Sequence, residues 1–324
     1  MKKISVVSIL SSQGVLIALA LLILFGWLRY DNFLGLFNIS TVLRYNSMFA
    51  LVALGMCFVI MTGGIDLSVG GTAALGSVVA AMLSPQGTLI GTLGGVGAGL
   101  AIGVINGLVI VRLRILPFIA TLAAMLAAYG TALLLAKDQT VSVSYESGFT
   151  DLGQGDFYNI PVPALIAAAA YVIGSIVLNF TSAGRTVLAI GGNEDASRLM
   201  GLPVDRIKFL VYVASGALSG LAGVILASQF GAGQPIEGVG WELFAIASVV
   251  VGGTLLTGGL GSVGATLAGV MLLGLIFNVL NFENGKGFIS LSAYWQSVVR
   301  GVFLLIVVIL QSRLTGRAEE RQSG

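Results

Sequence analysis

Long apolar runs, each broken by a few polar or charged residues, fill the chain from about residue 12 to residue 311. A helix needs roughly 20 apolar residues to cross a bilayer. On that ruler the runs predict ten spans, at about 12–28, 47–62, 67–83, 87–111, 116–136, 161–180, 208–229, 241–257, 258–281 and 289–311. Two junctions are weakly marked, Gly63–Ser68 and Thr257–Gly261; each fits a turn at the membrane surface or an interruption within it. Two connections are long. Residues 137–160 are polar and carry Asp138, Glu146, Asp151 and Asp156, while residues 181–207 hold the densest charge in the chain. The pattern predicts an all-α integral membrane protein with one transmembrane domain over residues 1–324.

Composition strengthens this picture. Hydrophobic residues make up 56% of the chain and charged residues 9%, against roughly 25% charged in soluble domains. Too little charge is present to coat a water-facing surface, so the outer solvent is largely lipid. The charges then orient the chain. With a cytoplasmic N-terminus, the inside holds Lys2, Lys3, Arg112, Arg114, Arg185, Arg198, Arg206, Lys208, Arg313, Arg317 and Arg321. The outside holds Arg29, Arg44, Lys137 and Lys286, with Arg300 inside the last span. This bias matches the positive-inside rule and predicts both termini in the cytoplasm of a multi-pass inner-membrane protein. Met1, Lys2 and Lys3 resemble a signal-peptide start, but no small-x-small cleavage site follows, so a retained first helix is expected.

Little in the chain points to bond-making chemistry. There is no histidine, and the single cysteine, Cys57, lies in an apolar run. No catalytic residue and no metal site are therefore expected. The net charge of +2 is scattered over short loops and is no nucleic-acid signature. Gly259-Leu260-Gly261-Ser262-Val263-Gly264 matches G-x-G-x-x-G but sits between apolar helices, without the strand that a dinucleotide site requires. No G-x-x-x-x-G-K-[ST] occurs, so any use of ATP must come from a partner.

Other residues carry structural or pathway expectations. Gly91, Gly95, Gly99, Gly103 and Gly107 recur at every fourth position and predict a flat helix face for close packing, echoed by Gly216-x-x-x-Gly220. Asp66 is placed to cap the helix after the first break, with a gating role second. Glu242 is expected at the outer edge of its helix, hydrated. Arg300 is expected to face protein or water rather than lipid. Trp295 and Tyr294 serve as interfacial anchors or as a platform for a sugar ring. Thr62-Gly63-Gly64-Ile65 is echoed by Thr257-Gly258-Gly259-Leu260, through internal duplication or by chance. In the inner loop, Asn193 is read as the cap of a short helix with Ala196, Leu199 and Met200 along it and Gly201 ending it. Such a helix suits a partner's groove or an ordinary surface.

Four segments carry a resemblance. They are Gly63-Gly64-Ile65-Asp66-Leu67-Ser68-Val69-Gly70; Leu116-Pro117-Phe118-Ile119-Ala120-Thr121-Leu122; Ala189-Ile190-Gly191-Gly192-Asn193 with Ala196 and Gly201; and Ala245-Ile246-Ala247-Ser248-Val249-Val250-Val251-Gly252-Gly253-Thr254. In that order they resemble the permeases of bacterial ribose, xylose, arabinose and galactose ABC importers, over roughly residues 40–310. Asn281-Phe282-Glu283 draws the likeness towards a galactofuranose importer. The resemblance implies a cytoplasmic ATP-binding subunit that holds ATP and magnesium, with no cofactor in this chain. It also implies a periplasmic sugar-binding protein and a second permease, identical or paralogous. Gly192, Asn193, Ala196 and Gly201 then belong to the helix that couples to the ATPase. The sugar would pass at the interface of the two permeases. Ser68, Asn106, Asn281 and Trp295 are the pathway candidates, and Asp66 and Arg300 the structural or gating ones. The main rival reading is a secondary transporter coupled to an ion through Asp66, Glu242 or Arg300. A membrane-embedded enzyme would need an acid, histidine or metal cluster, and a pure scaffold would leave the charged inner loop without a use.

Overall fold

The computed structural model describes residues 6–285 together with positions 295, 298, 301 and 302. Most of the expected last span lies outside the described residues, as do Tyr294 and Arg300. Twelve α-helices are described: α1 (Val6–Arg29), α2 (Leu36–Met61), α3 (Val69–Leu83), α4 (Thr88–Arg112), α5 (Pro117–Ala136), α6 (Asp151–Gln154), α7 (Val162–Phe180), α8 (Ser182–Gly192), α9 (Glu194–Leu199), α10 (Val204–Phe230), α11 (Trp241–Val251) and α12 (Val263–Gly285). Strand structure among the described residues is confined to two-residue pieces in the outer connections. Val141–Ser142 pairs antiparallel with Ala232–Gly233, and Asp156–Phe157 with Ile160–Pro161. The chain is all-α, and α2, α4, α5, α7, α10 and α12 are long and apolar enough to cross a membrane.

The pillar of the bundle is α10, which packs against α2, α3 and α4. Lipid tails are as apolar as leucine, so helices in a bilayer gain little from hiding apolar side chains and associate where backbones fit closely. Glycine supplies that fit. A Cβ on Gly99 would run into the Gly216 carbonyl and the Gly220 backbone; one on Gly103 would meet the Tyr212 carbonyl and Val213. A Cβ on Gly76 would meet the Gly220 backbone, one on Gly220 would meet the Gly95 carbonyl, and one on Gly223 would meet the backbone of Ala73 and Ser77. The four-residue spacing thus becomes a seam along which α4 and α3 lie on α10.

Three differences from the sequence expectation bear on the site. Helix α2 begins at Leu36 rather than near 47. Asn38, Arg44, Asn46 and Ser47 read as a break, but each polar group finds a partner inside the protein: Asn46 Nδ2 donates to the Val42 carbonyl at 2.8 Å, and Arg44 pairs with Asp156 at 2.7 Å. Helix α11 is the second difference. The expected span 241–257 stops at Val251, after 11 residues, because Gly253, Gly258 and Gly259 take positive φ (86°, 88° and 79°), which ends a helix. Residues 252–262 follow without helix.

The third difference explains how so short a helix is placed. After α10 ends, the chain turns back along α3. The Gln234 N–H donates to Ser77 Oγ at 3.1 Å, and Ser77 Oγ donates to the Gln234 carbonyl at 3.2 Å. Gly238 then lies against the Gly70 backbone. From Ser77 to Gly70 the descent is roughly 10 Å at 1.5 Å per helical residue. Residues 231–240 are therefore re-entrant, and α11 starts inside the bundle rather than at its outer edge. Glu242 follows it inward. The expected hydrated site is not where it lies: Glu242 Oε2 is buried beside Tyr129 and Gly70, without a hydrogen-bond partner.

The glycine seam predicts a contrast between two residues two positions apart. Gly99→Leu should cost about 3 kcal/mol or more, from overpacking at a backbone contact. Gly97→Leu, whose added carbon meets nothing within 4 Å, should leave the melting midpoint of the detergent-purified protein unchanged. Equal midpoints for the two variants would refute the seam as the main packing contact.

Candidate functional site

Three places collect the polar residues that the bundle does not need for packing. The first is the break between α2 and α3. Asp66 is 1% exposed and lies level with Ser215, near the middle of α10. Its Oδ1 accepts from the Ser68 amide at 3.0 Å and from Ser68 Oγ at 2.6 Å; its Oδ2 accepts from Ser215 Oγ at 2.7 Å. Asn106 Nδ2 donates to Ser68 Oγ at 2.9 Å. The Leu67 amide donates to Thr121 Oγ1 at 3.0 Å. No basic side chain pairs with Asp66 among the described residues. Asp66, Ser68 and Asn106 thus form one network that satisfies the unwound backbone, with Ser215 and Thr121 as members that sequence reading missed. An irregular backbone within a bilayer needs such partners.

The second place is a cavity of about 590 Å³ lined by the outer halves of α2 and α12, the end of α10 and the start of α11. Sites for small molecules commonly measure roughly 300–1,000 Å³. Its floor is aromatic: Phe49 lies 4.9 Å from Trp241 and 4.4 Å from Phe244 between ring centroids, and Phe244 lies 6.1 Å from Phe277. Its walls carry Thr41, Tyr45, Asn46, Glu237, Asn278 and Asn281. The N-terminal amides of α11 add positive partial charge at the floor. Apolar faces with amide and carboxylate oxygens around them suit a neutral, hydroxyl-rich ligand. A second cavity, of about 680 Å³ between α2, α7 and α10, is lined by apolar and small residues and offers nothing to orient such a ligand.

Of the four pathway candidates, Asn281 alone lines the first cavity. Ser68 and Asn106 are buried in the Asp66 network, and Trp295 is exposed. Phe282 and Glu283, next to Asn281, turn away from the cavity. Phe282 stacks on Tyr30 with centroids 5.0 Å apart, and Glu283 accepts from the Tyr30 hydroxyl at 2.6 Å and pairs with Arg29 at 3.3 Å. The cavity residues missed by sequence reading had one signal, the polar positions of 38–47 repeating along a helix face.

The third place is the turn from α8 into α9. Asn193 Oδ1 accepts from the Ala196 amide at 2.9 Å, and Gly201, at φ 76°, ends the short helix while the Leu202 amide reaches back to the Ser197 carbonyl at 3.1 Å. Glu194 is bound by Arg198 and by Lys208, each at 2.9 Å, and Arg198 also reaches Asp205 at 2.5 Å. Partial burial pushes the Glu194 carboxyl up, but the hydrogen bonds and charges of Lys208 and Arg198 outweigh it and hold the group below its ordinary range. The charges tie α9 to the start of α10. Beyond them Leu199 is 90% exposed and Met200 68%, two large apolar side chains on the surface that the charge pattern assigns to the cytoplasm. Among the described residues no group of three or more His, Cys, Asp or Glu side chains converges as a metal site would require.

The Asp66 network makes a quantitative forecast. Ser215→Ala leaves one buried carboxylate oxygen without its donor and should cost about 1–3 kcal/mol, read as a lower melting midpoint in detergent. An unchanged midpoint would show that Asp66 does not depend on Ser215.

Known proteins resemble the chain along most of its length. A family model described as "Branched-chain amino acid transport system / permease component" matches residues 38–308. The ribose import permease protein RbsC of Bacillus subtilis is 39% identical over 315 residues, covering 96% of each chain. The L-arabinose transport system permease protein AraH of Escherichia coli is 37% identical over 298 residues, 91% of this chain and 89% of its own. RbsC of Escherichia coli is 36% identical over 309 residues, 94% of each. No solved structure matches the chain. The chain belongs to this permease family, and is a multi-pass inner-membrane transport protein rather than an enzyme.

Proposed function

We propose that the chain is the membrane-spanning subunit of an ATP-driven importer for a monosaccharide. The cavity over Phe49, Trp241 and Phe244 carries this reading. A sugar ring presents C–H faces that pack on aromatic rings and hydroxyls that pair with Asn46, Asn278, Asn281 and Glu237. The names of the relatives, ribose and arabinose permeases, support a pentose first. Galactofuranose comes second, since two of the three residues behind that likeness hold α12 to α1. The cavity lies within one chain, and the interface with a second permease, identical or paralogous, closes the path beside it.

The partners follow from the two ends of the molecule. Leu199 and Met200 at the tip of α9 insert into a cytoplasmic ATP-binding subunit, which holds ATP and magnesium; Gly192, Asn193, Ala196 and Gly201 shape that turn. A periplasmic sugar-binding protein delivers its ligand to the outer face formed by residues 137–160. Of the three residues that ion coupling could use (Asp66, Glu242 and Arg300), Asp66 has both oxygens engaged by serine donors, which speaks against its use as an ion site.

The test is uptake of labelled ribose, arabinose and galactose by proteoliposomes holding the permease, its ATP-binding subunit and its binding protein. Uptake should require ATP and survive an uncoupler. Trp241→Ala should lower it about tenfold, the loss of one aromatic contact, while the ATP-binding subunit still co-purifies. Ala196→Glu with Gly201→Arg should lose that subunit. Uptake that collapses with the uncoupler at constant ATP would instead establish ion coupling.

A further inference from the structure

The inner ends of α4 and α10, on the side that the charge pattern assigns to the cytoplasm, leave a pocket of about 500 Å³ between them. Leu108, Val111 and Arg112 line it from α4, and Asp205, Arg206 and Phe209 from α10. The Phe209 ring lies against α4 at Gly107, where an added Cβ would meet it. Charge in this pocket is unbalanced. Arg112 and Arg206 are exposed and have no carboxylate partner among the described residues. Asp205, the one acid on the wall, is already bound by Arg198 at 2.5 Å. Arg114 lines an adjoining pocket, where Glu194 and Asp195 face it. Two guanidiniums are thus left for an anion.

The wall changes character with depth. Arg112 ends α4, and Leu108, one turn further into the span, is 46% exposed. The same face of α4 continues through Ala101 and Gly97, both exposed. A carbon added at Gly97 meets nothing within 4 Å, so the face is shallow there. From Leu108 to Gly97 the helix rises roughly 16 Å at 1.5 Å per residue, about half of a hydrocarbon core roughly 30 Å thick. We infer that this pocket binds an anionic phospholipid of the inner leaflet. Its phosphate sits on Arg112 and Arg206, whose forked N–H groups match phosphate oxygens, and one acyl chain runs along Leu108, Ala101 and Gly97. Basic pockets between membrane helices on the cytoplasmic side take such headgroups. A free phosphate would use the arginines but leave the apolar face bare, and a soluble partner does not reach Leu108 between two crossing helices. The lipid clamps the inner end of the seam between α4 and α10. The inference needs only the membrane position of the chain, whatever solute it carries.

The test is native mass spectrometry of the full chain in mild detergent, with the melting midpoint read in parallel. The probes are phosphatidylglycerol, phosphatidylethanolamine and glycerol 3-phosphate. Phosphatidylglycerol should bind and raise the midpoint, and the other two should do neither at the same concentration. Arg112→Gln and Arg206→Gln should each weaken that binding about fivefold, and the double variant by the product of the two. Replacing both arginines by lysine should recover most of it. Arg185→Gln removes an exposed charge from the same side of the membrane but outside the pocket, and should bind as the wild type does. Equal binding by the wild type and the double glutamine variant, or an equal loss in Arg185→Gln, overturns the site. Glycerol 3-phosphate binding as tightly as the lipid would overturn it in favour of a free-anion site. A double variant that keeps the lipid but loses a co-purifying ATP-binding subunit would overturn it in favour of a protein contact.

Discussion

A peptide group that loses its hydrogen bond inside a bilayer cannot borrow one from lipid, and this constraint shapes the whole molecule. The chain departs from helix between the spanning elements in residues 62–68, 231–240 and 252–262, and each departure is placed against protein. Residues 62–68 rest on α4, α5 and α10 through Asn106, Thr121 and Ser215; residues 231–240 lean on α3 through Ser77. Residues 252–262 lie on residues 61–64 and 191–192. None of this works unless α10 sits centrally, and the glycine seam with α4 puts it there.

Function grows out of the same three departures. A continuous helix buries its own polar backbone and offers a passing solute only side chains. An interrupted one brings amides, carbonyls and helix ends to the middle of the membrane. Here the re-entrant segment carries the start of α11 inward and sets Trp241 as a floor, and α2 and α12 raise walls of asparagine around it. On the proposed reading the route has an outward cavity over an aromatic floor, and α9 presents Leu199 and Met200 at the opposite surface.

Much of this was legible in the sequence, for reasons that can be named. Helices α4, α5 and α7 were placed to within a residue or two because uninterrupted apolar runs between charges leave little choice. Asn193 and Gly201 were read as cap and stop because each acts on its own neighbours in the chain. The start of α2 was missed because Asn38, Arg44, Asn46 and Ser47 look like a loop until their partners, 100 and more residues away in the case of Asp156 and Asn278, are known. Glu242 was misplaced for the same reason: nothing local reveals that residues 231–240 turn back along α3. The pairing of Asp66 with Ser68 is local, but its bond to Ser215 spans 149 positions and belongs to tertiary structure.

The central claim is a sugar cavity open from outside as far as the aromatic floor. The most direct measurement is labelling of single cysteines by a membrane-impermeant maleimide in right-side-out and inside-out vesicles, in a Cys57→Ala background. Asn281→Cys on the cavity wall should react from the periplasmic side alone, and more slowly when sugar-loaded binding protein and trapped nucleotide are present. Thr257→Cys, beneath the floor, should react from the cytoplasmic side alone. Labelling of Thr257→Cys from outside, with Asn281→Cys silent, would contradict the account.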